Sequence, residues 1–402
     1  MNPAPSTRAV CRALAFTLCI PLSFSTLAAG PLTVGTSNTT DLRLGADARV
    51  RSARPVPVEL HSPGATYIKV HVTEFNLPKG ITLEISNADG SETYRYGSHM
   101  LDVHTVDVAQ GEDGRSAFGL MSLQGDRAIL RLTGTAREAW NARHGVRIVR
   151  YDTGLPEDNV DLRNIAEMQE TGTPQAICLR NDLKAAVCHG ENDPQAFQGA
   201  RPVARLLING TSLCTAWRVG SDNRMFTNNH CFDSAEKVAA TEVWFNYQAD
   251  TCGGNRAAPI TKVSGASLLR TDEALDYSLF TVSNFDRIAG FGYLSLDVRA
   301  PRQGQNIFIP QHAGGRLKEI ATISDAQGGE RCTVLGTNVN GGRDVSYSCD
   351  TEGGSSGSPV VSRESNAVIA LHHLGWRNCT NSGVRMDLIW PQVRPFFNDI
   401  VP

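Results

Sequence analysis

The sequence predicts an all-β protein in two parts, a small antiparallel β-sandwich followed by a larger β domain that contains cysteines. Between residues 57 and 151, short segments of alternating apolar and polar residues are separated by turn signals, a pattern typical of a sandwich. From residue 178 the strand-and-turn pattern resumes, with many glycines. All eight cysteines beyond residue 20 lie in this second part, which indicates a domain boundary before it. A chain of 402 residues is long enough for both parts.

The first 29 residues have the organisation of a secretory signal. Arg8 and Arg12 supply a positive start, residues 13–24 are mostly apolar, and Ala28 and Ala29 offer a cleavage site. The apolar run is shorter than the ~20 residues that a membrane helix needs. We therefore expect an exported protein, extracellular or periplasmic, with no membrane partner. Its formal net charge is −3 and it has no basic block, so we expect no nucleic-acid partner either.

Residues 30–152 are predicted to form the sandwich. The clearest strands in it cover 67–72, 81–85, 128–132 and 146–149, and turn residues stand at 77–80 and 87–90. Four of its histidines, His61, His71, His99 and His104, lack the spacing of metal ligands. We interpret this part as a packing or folding module without chemistry of its own.

Residues 153–177 are predicted to be a linker that contains a processing site. They are polar and acidic, include Pro156 and Pro174, and show no sustained strand pattern. A short helix over 161–169 is compatible with this composition. The second domain then covers 178–402, and only its end, near residues 390–400, has the pattern of a helix.

Three short segments of the second domain supply the groups of one candidate catalytic site. They are Thr227-Asn228-Asn229-His230-Cys231, Asp276-Tyr277-Ser278-Leu279-Phe280 and Gly353-Gly354-Ser355-Ser356-Gly357-Ser358-Pro359. A serine hydroxyl attacks a carbonyl usefully only when a neutral imidazole takes its proton and a carboxylate orients that imidazole. His230, Asp276 and Ser356 are therefore the candidates for base, orienting carboxylate and nucleophile.

The glycines around Ser356 predict a tight turn that exposes main-chain N–H groups. We expect the N–H groups of Gly354 and Ser356 to face the oxyanion that forms when a serine attacks a carbonyl. Asp276 stands at the head of an apolar run, where a carboxylate needs a hydrogen-bond partner, and His230 would be that partner. Asp272, the nearest rival, sits in a more polar turn.

With these residues, the second domain resembles the chymotrypsin-fold serine endopeptidases, and within them the bacterial glutamyl and lysyl endopeptidase branch. The block from Asp350 to Pro359 is similar to that of glutamyl endopeptidases, and Trp244-Phe245-Asn246-Tyr247-Gln248 with the following Cys252 is similar to a segment of lysyl endopeptidases. The resemblance covers about residues 175–395. It implies a chymotrypsin-like double β-barrel of six strands each, with the triad of His230, Asp276 and Ser356 in the cleft. It also implies protein or peptide substrates.

The same resemblance implies the disulfide pairing. The expected bridges are Cys178–Cys379, Cys188–Cys252 and Cys214–Cys231, which leaves Cys332–Cys349 as the fourth. The Cys214–Cys231 bridge would hold the main chain at His230, as a general base requires.

One departure from the animal trypsins concerns activation. Those enzymes carry an aspartate directly before the nucleophile, where it pairs with the new N-terminus, whereas this chain has Ser355. The bacterial branch removes an N-terminal propeptide instead, so we expect residues 30 to about 170 to be the protease's own propeptide. We expect the protein to be a monomer.

The resemblance leaves the residue preferred before the cleaved bond open. Asp350 matches the aspartate with which trypsins bind arginine or lysine, whereas Thr351 and His372 match positions that bind a substrate glutamate in glutamyl endopeptidases. Residues 380–382 lack the acid with which lysyl endopeptidases bind lysine. An imidazole and a hydroxyl can together hydrogen-bond a carboxylate.

The predicted linker gives an independent indication of this preference. No lysine lies between Lys79 and Lys184, so self-cleavage after lysine cannot release the protease near residue 178. Glu170 is well placed for a glutamate-specific enzyme, and Arg163 for an arginine-specific one. We favour glutamate and keep arginine as the alternative.

The second domain has two other interpretations. A non-catalytic binding protein on a protease scaffold would be indicated by loss of a triad residue, and none is lost. A metal site made of His312, His372 and His373 lacks a carboxylate at ligand spacing, so we interpret these histidines as pocket lining. We therefore expect no metal and no cofactor.

Overall fold

The computed structural model describes residues 30–45, 57–156, 159–160, 177, 179–376 and 380–402. These residues form an all-β protein with few helices, as the sequence predicts. The predicted helix over 161–169 lies outside them. Within the described part of the chain, no helix is both long enough and apolar enough to cross a membrane.

The first part of the chain is a β-sandwich, as expected. After β1 (Leu32–Thr33), its strands are β2 (Gly35–Leu44), β3 (Val58–His61), β4 (Tyr67–Asn76), β5 (Ile81–Ser86), β6 (Thr93–Gly97), β7 (Met100–Leu101), β8 (His104–Thr105), β9 (Phe118–Leu120), β10 (Leu123–Gln124), β11 (Arg127–Gly134) and β12 (Gly145–Gly154). One sheet has the order β2-β12-β4-β9-β8, with β10 also on β4, and the other has the order β3-β11-β5-β6-β7. Alternate apolar side chains of the two sheets, such as Val70 and Leu83, meet in one buried core.

The first half of the second domain is a closed six-stranded barrel. After β13 (Lys184–Ala185) and α1 (Pro194–Ala200) come β14 (Val203–Ile208), β15 (Ser212–Arg218), β16 (Met225–Thr227), α2 (Ala235–Ala239), β17 (Thr241–Phe245), β18 (Thr261–Asp272) and β19 (Tyr277–Val282). The order is β15-β14-β17-β18-β19-β16, and β16 pairs back onto β15 to close the barrel.

The second half forms another barrel. Its elements are β20 (Ser295–Leu296), β21 (Ile307–Gln311), β22 (Glu319–Ala321), β23 (Ile323–Ser324), β24 (Glu330–Arg331), β25 (Val334–Val339), β26 (Asp344–Tyr347), β27 (Pro359–Ser362), β28 (Ala367–Trp376), β29 (Thr380–Arg385) and α3 (Met386–Val393). The order is β13-β22-β21-β27-β28-β29-β26-β25, with β20 also on β28, and β23 pairs with β24. A bridge between Asn306 and Thr333 joins the β21 and β25 ends, so this sheet also closes on itself.

The chymotrypsin-like double barrel and the preceding sandwich agree with the predicted fold class. Short 3₁₀ turns connect the strands at Val108–Gln110, Ala186–His189, Phe285–Arg287, Ala289–Phe291, Ala313–Gly315, Asp325–Gln327, Asn340–Gly342 and Arg394–Phe397. The closing helix begins at Met386, earlier than the sequence pattern predicts, and the chain continues into the last of these turns. A core that includes Trp217, Phe226, Val361 and Ile389 lies between the two barrels and the helix, so the barrels pack as one body.

The structure contains Cys188–Cys252 and Cys214–Cys231, two of the three bridges that the resemblance implies, and Cys332–Cys349, the pair that these leave over. Cys178 and Cys379 lie outside the described residues. Each bridge closes a loop of the chain and so restricts the unfolded state. This stabilises the folded state by about 2–4 kcal/mol per bridge.

The strand β1, which precedes the sandwich in the chain, joins the sandwich to the first barrel. β1 adds to the edge of β15, with Leu32 opposite Leu213 and Thr33 opposite Ser212. The Val34 N–H then donates to the carbonyl oxygen of Thr211 at 2.8 Å. The strand β1 is therefore part of the barrel's sheet and not of the sandwich.

A buried charge network forms the centre of this interface. Glu242 of β17 is fully buried, and Lys69 of β4 donates to its carboxylate at 2.6 Å. Ser122 of the sandwich donates to the same carboxylate through its N–H and its hydroxyl, at 3.0 and 2.6 Å. Lys262 of β18 pairs at 2.6 Å with Glu92 of the sandwich. Charges buried in this way are paired across the interface, because an unpaired buried charge is costly.

Candidate active site

His230 and Asp276 meet at one edge of the first barrel. His230 follows β16, and Asp276 precedes β19, the strand paired with β16. The Nδ1 atom of His230 lies 2.8 Å from Oδ2 of Asp276, and the main-chain N–H of His230 donates to Oδ1 at 3.0 Å. Asp276 has a φ of 42°, and Asn228 Nδ2 donates to its carbonyl oxygen at 2.8 Å. These contacts hold the carboxylate against the edge of the imidazole.

The residue Asp276 is buried, with 7% of its surface exposed. Burial alone would raise its pKa, but the neighbouring His230, and then His373, lower the pKa well below its usual range. The group is therefore an anion at neutral pH. An anion at Nδ1 selects the tautomer of His230 that leaves Nε2 as the acceptor.

Ser356 lies in the second barrel, in the loop that leads into β27. Its carbonyl oxygen accepts the Thr215 N–H at 2.8 Å, and Thr215 follows Cys214, the disulfide partner of Cys231. The serine loop and the histidine loop are thereby tied to the same point of the first barrel. Nε2 of His230 is buried and has no hydrogen-bond partner among the described residues, so the Ser356 hydroxyl is not bonded to it in this conformation. Such bonds are often long before substrate binds.

The loop around Ser356 requires its glycines. Gly354 has a φ of 89°, and a methyl group there would collide with Leu213 and lie 2.7 Å from the carbonyl oxygen of His312. Gly357 also has a φ of 89°, and a methyl group there would collide with the carbonyl oxygen of Thr215. Both positions exclude any larger residue.

From Gly354 onward, two N–H groups of this loop have no acceptor among the described residues. The other amides after residue 354 are used: Ser355 donates to Glu352 O, Gly357 to His372 O and Ser358 to Ser355 O. The N–H groups of Gly354 and Ser356 donate to no acceptor within the described ranges. These are the two groups that the sequence pattern predicts for an oxyanion.

Ser355, which stands where trypsins have an aspartate, forms a neutral network. Its hydroxyl donates to Gln311 Oε1 at 2.5 Å and accepts the Glu352 N–H at 3.1 Å. Gln311 Nε2 in turn donates to the carbonyl oxygen of Asp350 at 2.9 Å. The loop is fixed in place by amide and hydroxyl groups, so no ion pair with a new N-terminus is needed to order it.

The three residues predicted to contact the substrate side chain are all buried. Asp350 is fully buried, and its Oδ2 accepts the Asp182 N–H at 2.7 Å. Thr351 is 2% exposed. Nδ1 of His372 lies 2.8 Å from the Tyr347 hydroxyl, and burial lowers the pKa of His372 to about 3, with the charges of His373 and His230 adding to the effect. His372 is therefore a neutral imidazole at neutral pH.

Sequence reasoning missed the importance of His373. Its Nδ1 lies 3.0 Å from Asp276 Oδ2, and its Nε2 lies 2.8 Å from Asp344 Oδ2. The His372-His373 pair was the available signal, but it was interpreted as pocket lining. The third histidine of that interpretation, His312, has a different partner, with Nδ1 3.2 Å from the carbonyl oxygen of Arg316.

Cys214, His230 and Cys231 present ligand atoms within 4.8 Å of one another. The two sulfurs are bonded to each other in the Cys214–Cys231 bridge. This group therefore offers a metal ion only the imidazole, which is too few ligands for a structural site.

Comparison with known proteins agrees with this geometry. Residues 214–371 match the family model described as a trypsin-like peptidase domain, and this range contains His230, Asp276 and Ser356. "Secreted RxLR effector protein 73" of Plasmopara viticola is 29% identical over 346 residues, which are 82% of this chain and 81% of that protein. The chain thus contains a trypsin-like peptidase domain.

Solved structures that match about half of this chain include two proteases. The inactive form of the Rv3671c protease, from M. tuberculosis, is 14% identical, with a TM-score of 0.37, over 52% of this chain and 94% of that one. A Glu endopeptidase in complex with MPD is 16% identical, with a TM-score of 0.38, over 50% of this chain and 92% of that one.

Proposed function

We propose that this protein is an exported serine endopeptidase, made as a precursor, which cleaves peptide bonds through Ser356, His230 and Asp276. One observation carries the proposal. An imidazole held by a buried carboxylate keeps Nε2 unbonded, and it lies beside a serine loop that keeps the N–H groups of Gly354 and Ser356 unbonded. Acyl transfer needs both a proton acceptor and an oxyanion site.

The first half of the reaction forms an acyl-enzyme. The Ser356 hydroxyl attacks the peptide carbonyl carbon while its proton passes to Nε2 of His230. Asp276 stabilises the imidazolium through Nδ1–H, and the carbonyl oxygen, now an anion, accepts from Gly354 and Ser356. The imidazolium then gives its proton to the leaving amine, and an ester remains on Ser356.

The second half releases the acid. Water takes the place of the leaving amine and gives its proton to Nε2 of His230 as it attacks the ester carbonyl. The same two N–H groups receive the second oxyanion. The C–O bond to Ser356 breaks, and His230 returns the proton to the serine oxygen.

Several features support an exported precursor. Residues 1–29 have the composition of a signal, three disulfides are present, and the relative from Plasmopara viticola carries the word "secreted" in its name. We propose that cleavage in the 153–177 linker separates the protease from its own propeptide.

The sandwich is proposed to act as an intramolecular inhibitor or chaperone. β1 adds to β15 at Leu213, and Leu213 borders Gly354 in the loop around Ser356. Val34, the residue after β1, borders Gly315 on the same side of that loop. An exposed strand edge beside the reacting groups is where an extended peptide can add as a further strand. While β1 is paired with this edge of β15, a substrate cannot add there as a strand.

For the residue before the cleaved bond we propose glutamate. Nδ1 of the neutral His372 lies 2.8 Å from the Tyr347 hydroxyl. In the tautomer in which Nδ1 accepts from that hydroxyl, Nε2 carries the proton and can donate to a carboxylate. Thr351 adds a hydroxyl. Arginine is the alternative, through Asp350, but that carboxylate is fully buried and already bonded to the Asp182 N–H.

Sequencing the N-terminus of the processed protein and scanning a peptide library at the P1 position test both proposals together. We expect hydrolysis after glutamate and a mature N-terminus at Thr171, because cleavage after Glu170 frees the protease in the linker. A start at Asn164 with preference for arginine would replace glutamate by the alternative. Activity in an uncut chain of residues 30–402 would contradict the precursor.

A further inference from the structure

We infer that Asp344 and His373 are positioning residues for Asp276. In this interpretation a doubly protonated His373 joins the two carboxylates, donates to the same Asp276 oxygen that faces Nδ1 of His230, and draws part of its negative charge away from the base. The inference rests on the proposed function, because it assigns a role within the same reaction.

The geometry requires both ring nitrogens of His373 to carry a proton. Nδ1 faces Asp276 Oδ2 at 3.0 Å and Nε2 faces Asp344 Oδ2 at 2.8 Å. A neutral imidazole has only one N–H and would turn a lone pair toward one of the carboxylates. The side chains of His373, Asp276 and Asp344 are 6%, 10% and 0% exposed, so water does not relieve such a contact.

Three structural elements bring these groups together. His373 lies on β28, Asp344 begins β26, and Asp276 stands before β19 in the other barrel. His373 and Asp344 thereby reach from the second barrel across the cleft to the Asp276 carboxylate of the first. The register of β28 against β29 shifts between His372 and Leu374, which allows two consecutive histidines to be buried.

The groups around His373 and Asp344 are compatible with a positive charge on His373. The titratable groups that face it are Asp276, Asp344, the neighbouring His372, and His230, which shares Oδ2 of Asp276 with it. Asp344 also accepts from Ser382 Oγ at 3.1 Å and from Asn340 Nδ2 at 3.2 Å, both neutral. Burial alone would lower the pKa of His373, but its bonds to Asp276 and Asp344 raise the pKa to about 9.

The consequence for the reaction is electrostatic as well as geometric. Asp276 receives three N–H donors, two from His230 and one from His373, so both of its oxygens are fixed. The positive charge on His373 offsets part of the attraction between Asp276 and the imidazolium of His230. If His373 becomes neutral while the hydrogen bonds persist, the imidazolium of His230 is stabilised more strongly.

Asp344→Asn makes this change with little alteration of shape, because the new amide can donate to Nε2 of a neutral His373. We expect the acid limb of the kcat/KM profile, measured on the processed enzyme from pH 4 to 9, to move up by about 0.5–1 pH unit. Asp222→Asn is the matched control, since that carboxylate is 63% exposed and its ion-pair partner among the described residues is Arg224. An unchanged acid limb in an active Asp344→Asn enzyme would overturn the inference.

A second measurement does not depend on turnover. His71 also has both ring nitrogens against carboxylates, so the His373 signal is identified by its loss in a His373→Gln variant. In ¹⁵N-histidine NMR of the Ser356→Ala protein, we expect the imidazole of His373 to stay doubly protonated at pH 7.5 and to lose a proton as the pH rises through about 9. The absence of such an imidazole would overturn the inference even if Asp344→Asn fails to fold. If the NMR signal is present but the unsubstituted enzyme cleaves no peptide, the proposed function fails and the charged pair stands.

Discussion

Replacing Ser356 or His230 with alanine is expected to lower kcat by about 10⁴- to 10⁶-fold, and the double variant is expected to be no worse than either single one. In the proposed reaction the two residues act in a single proton transfer, in which Nε2 of His230 receives the proton of the Ser356 hydroxyl. Loss of either partner therefore removes the whole step. The residual rate comes from the N–H groups of Gly354 and Ser356, which alanine at position 356 keeps.

The measurement is the initial rate on a peptide substrate with protein that has been processed in trans. Ser221→Ala serves as the control, because its hydroxyl contacts only the adjacent Asp222, at 3.4 Å. Substantial turnover by Ser356→Ala would exclude this serine as the nucleophile. Losses that multiply in the double variant would show that the two residues do not act in the same step.

Glu242→Ala is expected to destabilise the precursor by about 3–5 kcal/mol. The variant removes the acceptor of Lys69, whose remaining partner is the carbonyl oxygen of Leu120 at 3.0 Å. It also removes the acceptor of the Trp244 indole N–H, which donates to Glu242 Oε2 at 2.8 Å. A buried ammonium without a carboxylate is far costlier than the loss of an exposed ion pair.

Urea unfolding of the Ser356→Ala precursor, which cannot cut itself, measures the effect. Glu74→Ala is the matched control: this glutamate is 52% exposed and pairs with Arg43 and Arg147, so about 1 kcal/mol or less is expected. If Glu242→Ala costs no more than the control, the buried network does not hold the sandwich on the barrel.

The pH dependence of this interface follows from the same carboxylate. Burial would raise the pKa of Glu242, but Lys69 and Lys262 lower it below the usual value. A carboxyl whose pKa is lower in the folded state stabilises it above the unfolded pKa, and this contribution disappears as the pH falls through the lowered value. The contribution of Glu242 to the interface is therefore expected to be lost in acid.

Local patterns predicted much of this structure. The strands proposed at 67–72, 81–85, 128–132 and 146–149 lie within β4, β5, β11 and β12, because alternating burial and turn residues act over short distances. The contact of His230 with Asp276 was expected from their segments. The positive φ of Asp276 was not, since tertiary contacts impose it.

Other features depend on residues that are distant in sequence. Lys69 and Glu242 are separated by 173 positions, and nothing near either marks them as partners. β1 was expected to belong to the sandwich, but its two residues find their hydrogen bonds on β15. The role of His373 depends on Asp344 and Asp276, which lie on other elements and meet it only once both barrels are formed.

Labelling with a fluorophosphonate probe tests the central proposal most directly, because the probe reacts only with a serine whose proton acceptor and oxyanion site are both in place. Processed protein is treated with the probe and mapped by mass spectrometry, with His230→Ala alongside. We predict one adduct, on Ser356 and not on Ser355 or Ser358, and none in the His230→Ala variant. No adduct on folded, processed protein would contradict the proposal and favour a non-catalytic binding protein on a protease scaffold.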